Sequence, residues 1–211
     1  MRVVLAGFGP FPGVPFNPSA VLVGALARRR RPALADVICS IHVFATRYAA
    51  VDRDLPKLFA EQPDLVLIFG VAGRRRHLCI ETRARNALSV LYPDASGHRP
   101  PGAAVTPGGP RALRGGAPFS RLLGATRGSG FPARLSRDAG RYLCNYAYWR
   151  ALERAHGTPT LVQFVHIPHV RLTPRRRRSR RSALALTQLI TAAEMLLIAL
   201  IAASAVNSQV E

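Results

Sequence analysis

The 211-residue chain is short of acid: 11 aspartates and glutamates face 30 lysines and arginines, for a formal net charge of +19. It is shorter still of lysine, since Lys57 is the only one. A nucleic-acid-binding surface interleaves its basic residues with aromatics or carries a recognisable motif. Here the arginines fall in separate runs at 28–31, 74–76 and 175–181 without such interleaving, so they read as solvated surface, and neither nucleic acid nor membrane is expected as a partner. Cysteine is scarce too. Cys39, Cys79 and Cys144 are odd in number, scattered and without a CxxC pair. That argues against a disulfide framework or a zinc site and fits a reducing cytoplasm. No metal or other cofactor is expected. Glycine and proline interrupt the first residues, MRVVLAGFGPFPG, before an apolar run could serve as a secretory leader.

What is present reads as one α/β domain over residues 1–211. Residues 2–6, 36–46, 64–70 and 160–165 are strand-like, and 64–70 (DLVLIFG) is the continuous apolar run of a strand buried on both faces. A further strand-like run ends at Glu81. Helical patterns cover 20–30, beginning after Asn17-Pro18-Ser19, then 48–62, a short stretch at 119–128, and a helix around Cys144 running to about residue 156. Alternating strands and helices predict a sheet with helices on both sides. Residues 93–118 carry little regular pattern, and GFGPFPG reads as a loop bearing Phe8 and Phe11. Residues 175–182 are an arginine-rich linker, and 183–206 the most apolar stretch. It is long enough to span a bilayer. Glu194 near its centre favours a helix packed on the sheet instead.

Three residues carry chemistry. Cys144 follows a glycine turn at a helix start, where unpaired N–H groups and the dipole favour a thiolate. A buried structural cysteine is the other reading of that position. His166 ends an apolar strand, where open α/β sheets place ligands. Glu81 also ends an apolar segment, so its carboxylate needs a partner: an arginine such as Arg83 or Arg85, or a histidine of a catalytic set. A thiol, an imidazole and a group to orient it are what cysteine hydrolysis of an amide requires.

Five stretches in order resemble the pyroglutamyl peptidase type I family: GFGPFPGVPFNPS, GVAGRRRHLCIETRARN, Pro93-Asp94 with Gly97, SRDAGRYLCN and FVHIP. The resemblance implies a three-layer α/β/α sandwich with a central mixed, mostly parallel sheet. It implies a cysteine exopeptidase that removes an N-terminal pyroglutamyl residue from peptides, with Cys144 as nucleophile, His166 as base and acid, and Glu81 as the orienting acid. Phe8 and Phe11 match aromatics that close on the lactam ring, and a backbone group around Val71 would contact the lactam amide. His169 lies outside the motif. Homo-oligomers, dimers or tetramers, are implied as well, with the apolar C-terminal helix as a candidate interface. The chain departs from the family pattern at Gly9, Pro12, Arg74, Thr82 and Ala95. Two other readings stay open: an inert binding protein on the same fold, and an arginine-rich nucleic-acid or membrane-surface protein.

Overall fold

A computed structural model of the chain describes residues 1–11, 15–170 and 186–207. Among these, six strands form the main sheet in the order β2-β1-β3-β8-β4-β7. They are β1 (Arg2–Phe8), β2 (Ile38–Phe44), β3 (Leu65–Val71), β4 (Leu78–Glu81), β7 (Ala133–Ser136) and β8 (Leu161–Ile167). β2, β1, β3 and β8 run parallel to one another, while β4 lies antiparallel to β8 and carries β7 parallel to itself. The sheet is therefore mixed and mostly parallel, as the resemblance implied. A separate antiparallel pair joins β5 (Arg83–Arg85) to β6 (Ala112–Arg114).

The period-2 alternation of a strand sorts its residues between two helical layers. Val3, Leu5, Leu65, Leu67, Phe69, Leu78, Ile80, Val165 and Ile167 are buried with α1 (Pro18–Ala27), α3 (Phe119–Gly128) and α5 (Leu186–Asn207). Val4, Ala6, Phe8, Val66, Ile68, Val162 and Phe164 are buried on the other face with α2 (Tyr48–Ala60) and α4 (Leu143–Ala155). Glu81 and His166 fall on the second parity, the face that α4 covers. Two strand ends and one helix start thus converge by register alone.

Asn17 caps α1, as the Asn-Pro-Ser start suggested, its side chain accepting from the backbone N–H of Ser19. Helix α5 is long and apolar enough by composition to cross a bilayer, yet Leu189, Ala192, Ala193, Leu196, Leu197 and Leu200 are fully buried against the α1 and α3 layer. Its Glu194 is also buried and pairs with Arg31 at 3.0 Å and Arg29 at 3.5 Å. The predicted start of this helix and the arginine-rich linker lie outside the described residues.

Two expectations need correction. The first strand does not stop at Ala6: it runs through Phe8, because Gly7 and Phe8 stay in register with Val43 and Phe44 of β2 and the Phe8 N–H is held by Ser19 Oγ at 2.9 Å. Phe8 therefore belongs to a strand end and not to a loop. Strands β5, β6 and β7 were not anticipated: RAR and ALR are only three residues long, and the alternation of ARLS lasts only four residues, just after Pro132.

Candidate active site

Cys144 is the second residue of α4, whose N-cap, Tyr142, supplies no side-chain hydrogen bond. The first-turn N–H groups are left facing the site, and the positive end of the helix dipole lies at the sulfur. The turn before it depends on Gly140, at φ +86°, with its N–H bonded to Asp138 Oδ1 at 3.0 Å. Behind Cys144, the buried Asn145 locks the helix to the neighbouring strand. It accepts from the Arg85 N–H at 2.8 Å and donates to the carbonyls of Arg85 at 2.8 Å and Ala87 at 3.0 Å.

Cys144, His166 and Glu81 come together. His166 Nδ1–H donates to Glu81 Oε1 at 2.8 Å, and Cys144 and the same imidazole line one cavity, close enough for the sulfur to raise the proton affinity of His166. Glu81 is fully buried and His166 nearly so, whereas Cys144 is half-buried and open to a ligand. Burial pulls the imidazole down, but the hydrogen bonds and charges of Cys144 and Glu81 overcome it and push His166 up to about 9. Burial pushes the Glu81 carboxyl up, and against it His166, Ser136 and Arg75 hold it below its ordinary value.

The partner of Glu81 turns out to be both kinds anticipated, a histidine and an arginine, but the arginine is neither Arg83 nor Arg85. Arg75, on the loop between β3 and β4, donates from Nη1 to Oε1 at 2.9 Å. Arg85 instead pairs with Asp138 at 3.2 Å, and Arg83 donates to the Arg137 carbonyl at 2.9 Å. The Glu81 backbone is fixed as well: its carbonyl accepts from Tyr148 Oη at 3.0 Å and Gln163 Nε2 at 2.9 Å. Sequence reasoning missed all three supports. Gln163 had left a signal, a lone amide within the apolar run LVQFV, which a buried position must satisfy.

A cavity of about 250 Å³ opens at Cys144 and His166 and is walled by Phe8, Phe11, Val71, Tyr142 and Leu143. All three residues expected at a ligand, Phe8, Phe11 and Val71, therefore line it. Asn17 and Thr46 add polar groups at its edge and were not anticipated. Among the described side chains lining it, the titratable ones are His166, the Cys144 thiol and the Tyr142 phenol, and none is acidic. A larger concavity, about 900 Å³ beside Arg83, Arg114 and Arg137, contains none of the three. His169 is exposed and sits beside Gly73, away from the cavity lining.

Among the described residues, none of the departures from the family pattern lines the cavity. Arg74 is exposed and does not line it. Thr82 Oγ1 donates to the Ser136 carbonyl at 3.0 Å, and Gly9 bonds through its N–H to the Phe44 carbonyl at 2.9 Å. Pro12 lies outside the described residues.

The profile of the pyroglutamyl peptidase family matches residues 1–203. A pyrrolidone-carboxylate peptidase of Vibrio vulnificus (strain YJ016) is 31% identical over 197 residues, covering 93% of this chain and 91% of that protein. One from Thermococcus kodakarensis is 33% identical over 171 residues, covering 80% and 81%. Among solved structures, pyroglutamyl peptidase I of Bacillus amyloliquefaciens superposes with a TM-score of 0.81 at 27% identity, covering 95% of this chain and 97% of that one.

Proposed function

The chain belongs to the pyroglutamyl peptidase family, and from that premise we propose that it hydrolyses the amide bond after an N-terminal pyroglutamyl residue, with Cys144 as nucleophile. The reading rests on one observation above others: a half-buried thiol and a buried imidazole share a small, mostly apolar cavity with no acidic residue among its described walls. A pyroglutamyl ring is an uncharged lactam, so it suits apolar walls with a few backbone or amide hydrogen bonds. A free N-terminus carries an ammonium that this cavity could not pair, and desolvation would reject it.

In the mechanism, the Cys144 thiolate attacks the carbonyl carbon and the oxyanion forms near the first-turn N–H groups of α4. Collapse of the tetrahedral adduct breaks the C–N bond as His166 gives its proton to the leaving amine. Water, deprotonated by His166, then cleaves the thioester and releases pyroglutamate and the thiol. Glu81 keeps the imidazole oriented through Nδ1–H and stabilises its charged form. Phe8 and Phe11 close on the ring, and the backbone near Val71 meets the lactam amide. A reducing cytoplasm is the setting in which such a thiol persists.

We read residues 1–211 as one domain that assembles as a homo-oligomer. Exposed Ile38, Ile41 and Val43 on the edge strand β2 support a contact between copies there. The apolar face of α5 is used up inside the molecule, which makes it a poorer interface than its composition suggested.

Release of a fluorescent amine from a pyroglutamyl amide tests the activity. Wild-type protein should turn over, and Cys144→Ser and iodoacetamide-treated protein should not, whereas EDTA should leave the rate unchanged. Folded wild-type protein that fails to cleave pyroglutamyl amides would refute the proposal and favour an inert relative.

A further inference from the structure

We propose that Arg75 is a positioning residue that completes a row of four groups, Cys144, His166, Glu81 and Arg75, by holding the buried Glu81 carboxylate charged and aimed at His166. The proposal rests on the catalytic reading above and extends it to a side chain that touches neither the cavity nor the thiol.

The geometry is specific. Arg75 Nη1 and His166 Nδ1 donate to the same oxygen, Glu81 Oε1, at 2.9 and 2.8 Å. Glu81 Oε2 is buried without a hydrogen-bond partner, so the two donors on Oε1, with the Ser136 hydroxyl nearby, stabilise the side-chain charge. An isolated carboxylate in a fully buried position would take up a proton and lose its grip on the imidazole. With Arg75 present, the thiolate, imidazolium, carboxylate and guanidinium sum to zero. Without it, forming the thiolate would leave one net negative charge buried. Arg75 also reaches the segment leading into α4: Nη1 lies 3.4 Å from Ser136 Oγ, and Nη2 donates to the Asp138 carbonyl at 3.0 Å. One guanidinium thus ties the acid on β4 to the turn that delivers the nucleophile.

Other charges near the four groups are few. Cys79 shares the Glu81 face of β4 beside Arg75, and burial pushes its thiol up. His77 lies near Arg75 and Arg134 and is held low by burial and their charges. Tyr148 faces Glu81 from α4 as a buried neutral phenol. The Asp138 carboxylate is engaged by Arg85.

The test compares wild type, Arg75→Gln and Arg75→Lys. It follows iodoacetamide modification of the Cys144 peptide by mass spectrometry across pH, together with kcat and KM on a pyroglutamyl amide. Removing one positive charge raises every neighbouring proton affinity. In Arg75→Gln the alkylation profile and both limbs of the rate profile should move to higher pH by about one unit. Its kcat at neutral pH should fall about tenfold with KM little changed, since the reduced thiolate fraction acts on the chemical step. Arg75→Lys, which keeps the charge, should restore the pH profile even if its rate stays low. Equal losses in both variants with the pH profiles unmoved would overturn the proposal and leave Arg75 a structural clamp. Alkylation needs no substrate, so the Arg75 inference remains testable even if the wild type proves inactive on pyroglutamyl amides.

Discussion

Gly70 and Cys144 approach so closely that a methyl group placed on Gly70 would stand 2.9 Å from the sulfur and 2.7 Å from Cζ of Phe164. Gly70 is also the register partner of His166 across β3 and β8. The missing side chain is what lets the thiol of α4 settle over the sheet beside the imidazole. Gly70→Ala should therefore cost about 1–3 kcal/mol of stability as overpacking. The displaced sulfur should reduce kcat by about a hundredfold. Thermal unfolding and steady-state kinetics on the same preparation check both, and an alanine variant with normal kcat would show that α4 can yield without losing the alignment.

Stability should follow pH through the His166–Glu81 pair. His166 is raised from 6.5 to about 9, so it binds its proton more tightly when folded. Its contribution is complete below pH 6.5 and is lost as pH rises through about 9. Glu81 is held below 4.5, so its contribution is present above that value and is lost as pH falls through the depressed one. Both are in force between pH 4.5 and 6.5. Glu81→Gln should shrink the fall in melting temperature between pH 6.5 and 9. Parallel wild-type and variant curves across that range would disprove the coupling.

Asn145 should matter to the fold more than to the chemistry. Its amide makes three hydrogen bonds to the backbone at Arg85 and Ala87 from a fully buried position. Asn145→Ala leaves those groups unsatisfied, and a loss of about 3 kcal/mol is expected in denaturant unfolding. A loss below about 1 kcal/mol would mean that water replaces the amide.

Phe11 is a wall of the cavity and remains half-exposed. Phe11→Ala should raise KM for a pyroglutamyl amide by about tenfold, the equivalent of one lost apolar contact. Since the phenyl ring carries no group that can donate or accept a proton, kcat should hold. A fall in kcat with KM unchanged would give Phe11 an aligning role.

The proposed trio was legible because Glu81 and His166 lie at the ends of apolar runs and Cys144 follows a glycine turn at a helix start, places where side chains leave a packed layer. Arg75 was not. It is one of three consecutive arginines, and only the turn between β3 and β4 decides that the middle one points inward while Arg74 and Arg76 stay exposed. The core strands announced themselves by uninterrupted apolar residues. β5, β6 and β7 are three or four residues long and owe their pairing to neighbours already in place, which no local pattern records. Phe8 was misplaced because glycine and proline suggested a loop, while β2 and Ser19 keep the strand going.

The late strand β8 occupies the middle of the sheet, between β3 and β4. A chain emerging from the ribosome can pair β1 with β2 and β3, but β4, with β7 beside it, has no place on that sheet until residues 161–167 arrive. Loop closure over such separations is slow and comes all at once. The same strand carries His166, so the thiol of Cys144 meets the imidazole only when β8 has joined the sheet. A chain without β8 then holds Cys144 without the imidazole beside it, and the proposed hydrolytic centre is complete only once β8 is in place.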